Sequence, residues 1–404
     1  AAVMVSDGTG AVVGRGRLQL AGIPAFRTGE LAVRIDRPLA PGLYRVAVEL
    51  AGAAVSPAAA GTAFWVRDGA LLAAGPRLTA SRDWLRRDGR VFPVVGTTYM
   101  AGDVHRKFLF EPNPAVWDRD MAAMRRAGVN FIRTGLWTGW NRLMSDPGAV
   151  DENALRALDA FVLTAARHDL AVCFTFFAFR PPLYGGDNPY LDPRALAGQE
   201  ALLALVASRY RGVNWIHWDL INEPSYAPAD ALWTNRPIGD AYEAAAWAEW
   251  VSRRHGETAA AARDRWRDAG PAPFAVPAAA ALSPAMVRED RTPAKGFDFR
   301  LFTQEVVAGW AARLRAVLRA AGGDALVTLG QDEAGAGLSP SPQFHYESVD
   351  YTAIHTWWSN DDLLWDAVVS KVQEKPCLVQ ETGMMRLEDA DGFPWRTPEA
   401  AARL

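Results

Sequence analysis

The chain has no run of apolar residues approaching the ~20 needed to cross a bilayer, so no membrane-spanning helix is expected. It has only two cysteines, Cys173 and Cys377, and each falls in an apolar segment. Two small buried hydrophobes are the expectation there, not a bridge or a metal site. The six histidines stand at 105, 168, 217, 255, 345 and 355, with no metal-ligand spacing such as two His four apart. There is no P-loop and no dinucleotide glycine fingerprint, and Gly96-Thr97-Thr98-Tyr99-Met100-Ala101-Gly102 matches neither. No Gly-x-Ser-x-Gly elbow is present. The formal net charge is -3, which gives no broad basic face for nucleic acid. No cofactor and no metal are expected. The chain begins at Ala1 without a methionine, as a mature or trimmed product would. Its compartment stays open between secreted or periplasmic and cytoplasmic.

Hydrophobic residues make up 50% of the 404, enough for a sizeable core. Sixteen are tryptophans, which fill cores and also offer flat faces to sugar rings. Residues 1–82 read as a small all-β sandwich. Leu31 to Ile35 and Tyr44 to Leu50 alternate, and turns are marked at Pro41-Gly42 and Asp68-Gly69. A structural lid on the next domain is the expected role, ahead of a sugar-binding module. From residue 83 the rhythm changes. Arg87-Asp88-Gly89-Arg90 reads as a hairpin turn. Apolar strands then alternate with helical stretches, which means a parallel sheet covered on both faces. The strands centre on Val94, Phe131, Phe174, Leu220, Val327, Thr352 and Val379. Asp151 caps a helix running to His168. Residues 225–300 are a helical insertion, with an Ala- and Pro-rich loop over 270–284, and Phe299 to Ala321 is a long helix ended by Gly322-Gly323. The fold class is therefore α/β, a (β/α)8 TIM barrel over 83–404 that ends after strand seven in this chain, preceded by the small sandwich.

Two strands end in carboxylates. The fourth is Asn214-Trp215-Ile216-His217-Trp218-Asp219-Leu220-Ile221-Asn222-Glu223-Pro224, stopped by a proline that cannot donate to a ladder. The seventh is Pro376-Cys377-Leu378-Val379-Gln380-Glu381-Thr382-Gly383. In a regular strand Asn222 and Glu223 point to opposite faces, so a bend or bulge is expected where both serve one site. A buried acid is costly without a task or a partner, and two of them at strand ends suggest a pair aimed at one substrate atom.

Over residue 88 to the end the chain resembles a retaining glycoside hydrolase of the large (β/α)8 clan. The resemblance rests on Asn222-Glu223-Pro224, on Glu381, on Arg133 closing strand two and on His355 closing strand six. The Asn-Glu-Pro form is similar to the cellulase and mannanase family. The inserted Trp247-Ala248-Glu249-Trp250 and Phe297-Asp298-Phe299-Arg300-Leu301-Phe302 segments look more like the thermophile-type β-galactosidases. No eighth strand is read, and the tryptophan that members present there is not assigned. The resemblance implies a carbohydrate substrate, Glu223 as general acid/base and Glu381 as nucleophile, with Arg133 keeping Glu381 ionised. It also implies Asn222 on the sugar 2-hydroxyl and His355 orienting Glu223 or touching a hydroxyl. Trp137, Trp140, Trp357 and Trp358 follow strands two and six, and at least one is expected against a sugar face. The competing roles are plain ones: a carboxylate paired with a rim arginine, a turn-forming asparagine, a structural histidine, core tryptophans. A carbohydrate-binding barrel without catalysis is the rival class. Among enzymes, endo-action on mannan or cellulose competes with exo-action on β-galactosides, and the insertion after Glu223 favours the pocket of an exo-enzyme.

Overall fold

The computed structural model describes residues 2–17, 33–52, 55–256, 258–267, 274–282, 292–332, 340–356 and 363–382. The chain divides into two compact units, neither of them continuous in sequence. One comprises residues 1–75, 99–132 and 151–172, the other 76–98, 133–150 and 173–404.

In the first unit, β1 (Ala2–Ser6), β2 (Val12–Arg17), β3 (Gly42–Gly52) and β4 (Val55–Val66) form one antiparallel sheet in the order β2-β1-β3-β4. Tyr44 and Phe64 sit opposite each other on β3 and β4 and their rings stack at 5.3 Å. Helices cover this sheet, so the layer that a sandwich would build from strands is helical here. The helix Pro114–Arg126 starts at Asn113, whose side chain accepts from Ala115 and Val116 N–H, and Pro114 fits its first turn. Asp151 caps Glu152–Arg167 as the sequence suggests. Trp65 Nε1 donates to Thr164 Oγ1 at 2.9 Å, and Arg45 pairs with Asp118. Two expectations shift. Val33 to Asp36 are irregular, although Val33 and Ile35 pack over Gly16 and Gly14 of β2; Leu31 lies outside the described residues. Asp68 caps a five-residue helix, Gly69–Ala73, in place of the expected turn.

The second unit opens with β5 (Leu78–Ala80), β6 (Leu85–Arg87) and β7 (Arg90–Val91). The hairpin turn is as expected, with Arg87 paired to Arg90 and positive φ at both Asp88 (48°) and Gly89 (78°). The barrel strands come next: β8 (Gly96–Thr98), β9 (Phe131–Gly135), then a small hairpin of β10 (Met144–Asp146) and β11 (Ala149–Val150), β12 (Ala171–Ala178), β13 (Ile216–Asn222), β14 (Val327–Gly330), β15 (Thr352–Thr356) and β16 (Cys377–Thr382). Five of them form a sheet in the order β14-β13-β12-β9-β8, and β15 pairs with β16. β13 with β14 and β15 with β16 run parallel. Backbone bonds from Asp350 N to Val327 O and from His355 N to Gln331 O join β14 to β15. Strands two to seven read from the sequence are present and neighbour one another in chain order, whereas the first is displaced: Phe92 to Val95 are irregular and the strand is Gly96–Thr98. Residues 383–404, after β16, lie outside the described ones.

Strands β12 and β13 are buried along their whole length, as strands covered on both faces must be. Trp218 lies among Phe174, Phe176 and Tyr210 on one face. Cys173, Thr175, His217 and Asp219 carry the opposite face. Between β13 and β14 come the helices Ala241–His255, Ala259–Trp266 and Ala294–Gly322. The last begins five residues before the expected Phe299. The sulfur atoms of both cysteines are free, Cys173 buried and Cys377 half-buried.

Candidate active site

Each of the two strand-end glutamates is delivered by a bulge. On β13, Asp219 opposes Thr328 and Asn222 opposes Gly330, so three steps match two on β14. On β16, Val379 opposes Ile354 and Glu381 opposes His355, so two steps match one on β15. The extra residue resets the alternation, as bulges beside active sites do. Glu223 is turned further by a left-handed backbone, φ 49°, held by its N–H on Gly330 O at 2.7 Å. Asn222 and Glu223 consequently serve one site, as their adjacency in the sequence requires.

Arg133, only 2% exposed, is the hub. Its Nη2 donates to Asp219 Oδ2 at 2.7 Å and to Asn222 Oδ1 at 2.9 Å, its Nε to Asp219 Oδ2 at 3.1 Å, and its Nη1 to Glu381 Oε1. Burial alone would lower the arginine's pKa, but Asp219 and Glu381 outweigh it and hold it above the ordinary value. The guanidinium in turn favours an ionised Glu381. The Trp137 ring lies 4.7 Å from Arg133 Cζ and is 2% exposed, so this tryptophan supports the arginine. Gly330 makes room for the arrangement, since a Cβ there would meet Arg133 Nη2 and Gln380 Oε1 at 2.9 Å each.

His355, fully buried, joins the two carboxylates. Its Nδ1 lies 2.9 Å from Glu223 Oε1 and 3.8 Å from Glu381 Oε2. Its Nε2 lies 3.3 Å from Gln380 Oε1. The Gln380 amide has a fixed sense, because its Nε2 faces Asp219 Oδ2, which can only accept. Oε1 is therefore an acceptor, and His355 Nε2 carries its proton. The bond between Nδ1 and Glu223 then requires a further proton on one of those two groups. Beneath lies a neutral layer. Burial pushes the Cys173 thiol up to about 12 and His217 down to about 3, and Tyr351 OH links them at 3.7 Å and 3.3 Å.

One ligand atom each of Glu223, His355 and Glu381 lies within 4.8 Å of the others. Two carboxylates and an imidazole are a donor set that a divalent cation accepts. Here the Arg133 guanidinium already pairs with Glu381 Oε1, and its charge opposes a second cation beside it. One oxygen of each carboxylate lies within 4.8 Å of one of the other, close enough for both to face the same substrate atom.

Of the residues expected at the site, Arg133, Asn222, Glu223, His355 and Glu381 come together. Trp140 is half-buried, edge-on to Tyr184 at 4.9 Å. Trp357 and Trp358 lie outside the described residues. Sequence reasoning misses Asp219, Thr175 and Gln380. Asp219 carries a signal, a lone acid inside an apolar strand, whereas Thr175 and Gln380 declare themselves only through their partners. Asp219 also accepts from Thr175 Oγ1 at 2.9 Å and from Gly330 N at 3.0 Å. Removing Asp219 takes the bonds to Arg133 Nε and Nη2 and strips Thr175 Oγ1 and Gly330 N of their acceptor, leaving Arg133 with Glu381 as counter-charge, and breaking a buried pair of this kind costs about 3–5 kcal/mol. Asp219→Ala is expected to lose stability on that scale, read as a large fall in the thermal unfolding midpoint. An unchanged midpoint would show that the pair is not a structural necessity.

The chain matches no protein-family model and no curated protein by sequence. Among solved structures it is similar to the endo-1,4-β-mannanase from Rhizomucor miehei, with 15% identity and a TM-score of 0.50 over 76% of this chain and 82% of that one. It is also similar to the β-galactosidase from the psychrophilic Marinomonas ef1, with 14% identity and a TM-score of 0.48 over 66% of this chain and 41% of that one. The exo-β-1,4-mannosidase from Opitutaceae bacterium strain TAV5 gives 16% identity and a TM-score of 0.48 over 75% and 47%. The chain thus spans less than half the length of the latter two enzymes. The likeness is one of fold, the parallel strands and covering helices of a TIM-barrel-type chain.

Proposed function

We propose that this chain is a retaining β-glycoside hydrolase that works by double displacement. The observation that carries the reading is the pair Glu223 and Glu381, oxygens within 4.8 Å, with different neighbours. Glu381 lies on Arg133 and is the nucleophile, attacking the anomeric carbon as a carboxylate. Glu223 shares a hydrogen-bonding proton with His355 Nδ1 and is the acid/base. It first gives a proton to the leaving oxygen, then takes one from water as the glycosyl-enzyme is cleaved. Asn222, fixed by Arg133, is left to meet the sugar 2-hydroxyl, where contacts strengthen in the oxocarbenium-like transition state.

The preferred substrates in this reading are β-galactosides or related oligosaccharides, cleaved from one end. The support is the run of helices inserted between β13 and β14, after Glu223, which would narrow a groove to a pocket if it lies over the strand end. An endo-acting mannanase or cellulase is the second reading, and the Asn222-Glu223-Pro224 form favours it. A non-catalytic sugar-binding barrel fits less well, because such a protein has no use for two glutamates in these settings. A panel of nitrophenyl β-glycosides and β-linked polysaccharides tests all three. Hydrolysis of the small glycosides alone supports exo-action. Cleavage of polymer with a rapid fall in viscosity supports endo-action. Binding without turnover on every member overturns the enzyme.

No step of this mechanism uses a metal. Exhaustive dialysis against a chelator is therefore expected to leave turnover unchanged. Loss of activity with the fold retained, reversed by adding one divalent cation, would overturn the assignment of Glu223 and Glu381 as acid/base and nucleophile.

A further inference from the structure

Phe179, just past β12, clasps the acid/base segment. Its N–H donates to Asn222 O and its carbonyl accepts from Ser225 N–H, both at 2.7 Å, so it flanks Glu223 and Pro224 on either side. Arg180 is the next residue along, so its backbone lies beside the Glu223 turn. The loop 231–240 lies over this turn. The Trp233 ring packs on Phe179 at 5.2 Å and stays 38% exposed, and Trp233 N donates to Ser225 Oγ at 2.8 Å. The loop's far end is pinned by Ile238 N and Gly239 N on the Glu243 carboxylate. Its middle is not satisfied. Asn235 is 3% exposed, and neither its amide oxygen nor its amide nitrogen has a hydrogen-bond partner among the described residues. Buried Nε atoms of Arg180 and Arg236 likewise have none, and neither guanidinium is ion-paired there. The acid whose charge Arg180 feels, Asp240, already accepts from Asn188 Nδ2 and from Tyr242 and Glu243 N–H. Positive φ recurs at Phe179 (62°), Glu223 (49°), Trp233 (59°) and Asn235 (49°). Strain and unpaired buried polar groups on two adjoining segments, joined through Phe179, Trp233 and Ser225, mark a site that a ligand completes.

The side chains fix the chemistry of that ligand. An exposed indole offers a face to a sugar ring. A carboxamide suits hydroxyls. Two unpaired guanidinium groups suit a carboxylate, which they meet as a planar fork. We propose that Arg180, Trp233, Asn235 and Arg236 form a subsite for a carboxylate-bearing sugar on the leaving-group side of Glu223. This rests on the glycosidase reading for the naming of the side, because Glu223 would protonate the oxygen that leaves with that sugar.

The test is binding, which needs no turnover. A disaccharide of β-linked galactose on glucuronic acid is titrated calorimetrically into the full chain, alongside its methyl ester, which has the same shape without the charge. The acid is expected to bind at least about tenfold more tightly, a difference of about 1.4 kcal/mol. The preference is expected to vanish in Arg180→Gln and in Arg236→Gln, each with its unfolding midpoint unchanged. Equal affinity of acid and ester for the unaltered chain overturns the subsite without recourse to any variant. A preference that survives both substitutions overturns it too. A chain that hydrolyses glycosides but shows no such preference loses only this subsite, and one that prefers the acid but never hydrolyses loses only the catalytic reading.

Discussion

Replacing Glu381 by alanine is expected to lower turnover on the order of 10⁴- to 10⁶-fold, the range seen when a covalent nucleophile is removed. The fold should survive. Arg133 loses Glu381 but keeps Asp219 at 2.7 Å and Asn222 at 2.9 Å, so no buried charge is orphaned. The space vacated lies beside that guanidinium, which attracts a small anion. Azide added to the variant can therefore take the place of the carboxylate and attack the anomeric carbon of a β-glycoside with a good leaving group. Attack comes from the face opposite the leaving group, so the product is the α-glycosyl azide. NMR of the isolated product reads the anomer directly. A β-azide from this variant would mean that Glu381 and Glu223 have exchanged roles. Turnover near that of the unaltered chain, without azide, would remove Glu381 from the chemistry.

Why these residues can be read from sequence, and others not, has a physical answer. Glu223, Glu381 and His355 stand at or beside the ends of apolar strands, and Arg133, read as closing strand two, sits in the middle of Phe131–Gly135; a charged or polar residue in such a strand stands out against its neighbours. The bulge before Glu223 is foreseeable because Asn222 and Glu223 could not otherwise share a face. The matching bulge at Gln380 is not, since nothing local says that Gln380 must reach His355 on one side and Asp219 on the other. Distant segments of the chain decide it. The same holds for Trp137, which reads as a sugar platform by position yet lies under Arg133. Strands are more legible than boundaries. Near-continuous apolar runs identify buried parallel strands, whereas the early start of the helix Ala294–Gly322 is hidden by Gly296 in its first turn. That glycine is there for packing, because a Cβ would meet Thr292 at 2.8 Å. In the first unit, Asp68 reads as opening a turn and instead accepts from Leu71 N–H as a helix cap. A short helix and a turn share the same opening residue, and only the residues after it separate them.

Glu223→Ala is expected to divide substrates by leaving group. A substrate whose leaving group needs no proton, such as a dinitrophenyl glycoside, should still form the glycosyl-enzyme on Glu381, because Arg133 and the nucleophile are untouched. A substrate with a poor leaving group, such as a disaccharide, needs the proton that Glu223 supplies. The loss of general acid catalysis costs it about 10²- to 10⁴-fold in the first step. Water attacks the intermediate slowly in both cases, since the base is gone too. With the activated substrate, a burst of phenolate equal to the enzyme present should therefore precede a slow steady state. Azide needs no base to attack. It should restore the steady-state rate and release a β-glycosyl azide, since two inversions at the anomeric carbon retain configuration. His355 supplies the control. Its Nδ1 touches Glu223 Oε1 at 2.9 Å, so His355→Ala leaves the acid in place but frees it to turn. That variant should lose rate on both substrates without the burst and without azide rescue, because the base remains. An azide-rescued His355→Ala together with an unrescued Glu223→Ala would move the acid/base role from the glutamate to the histidine.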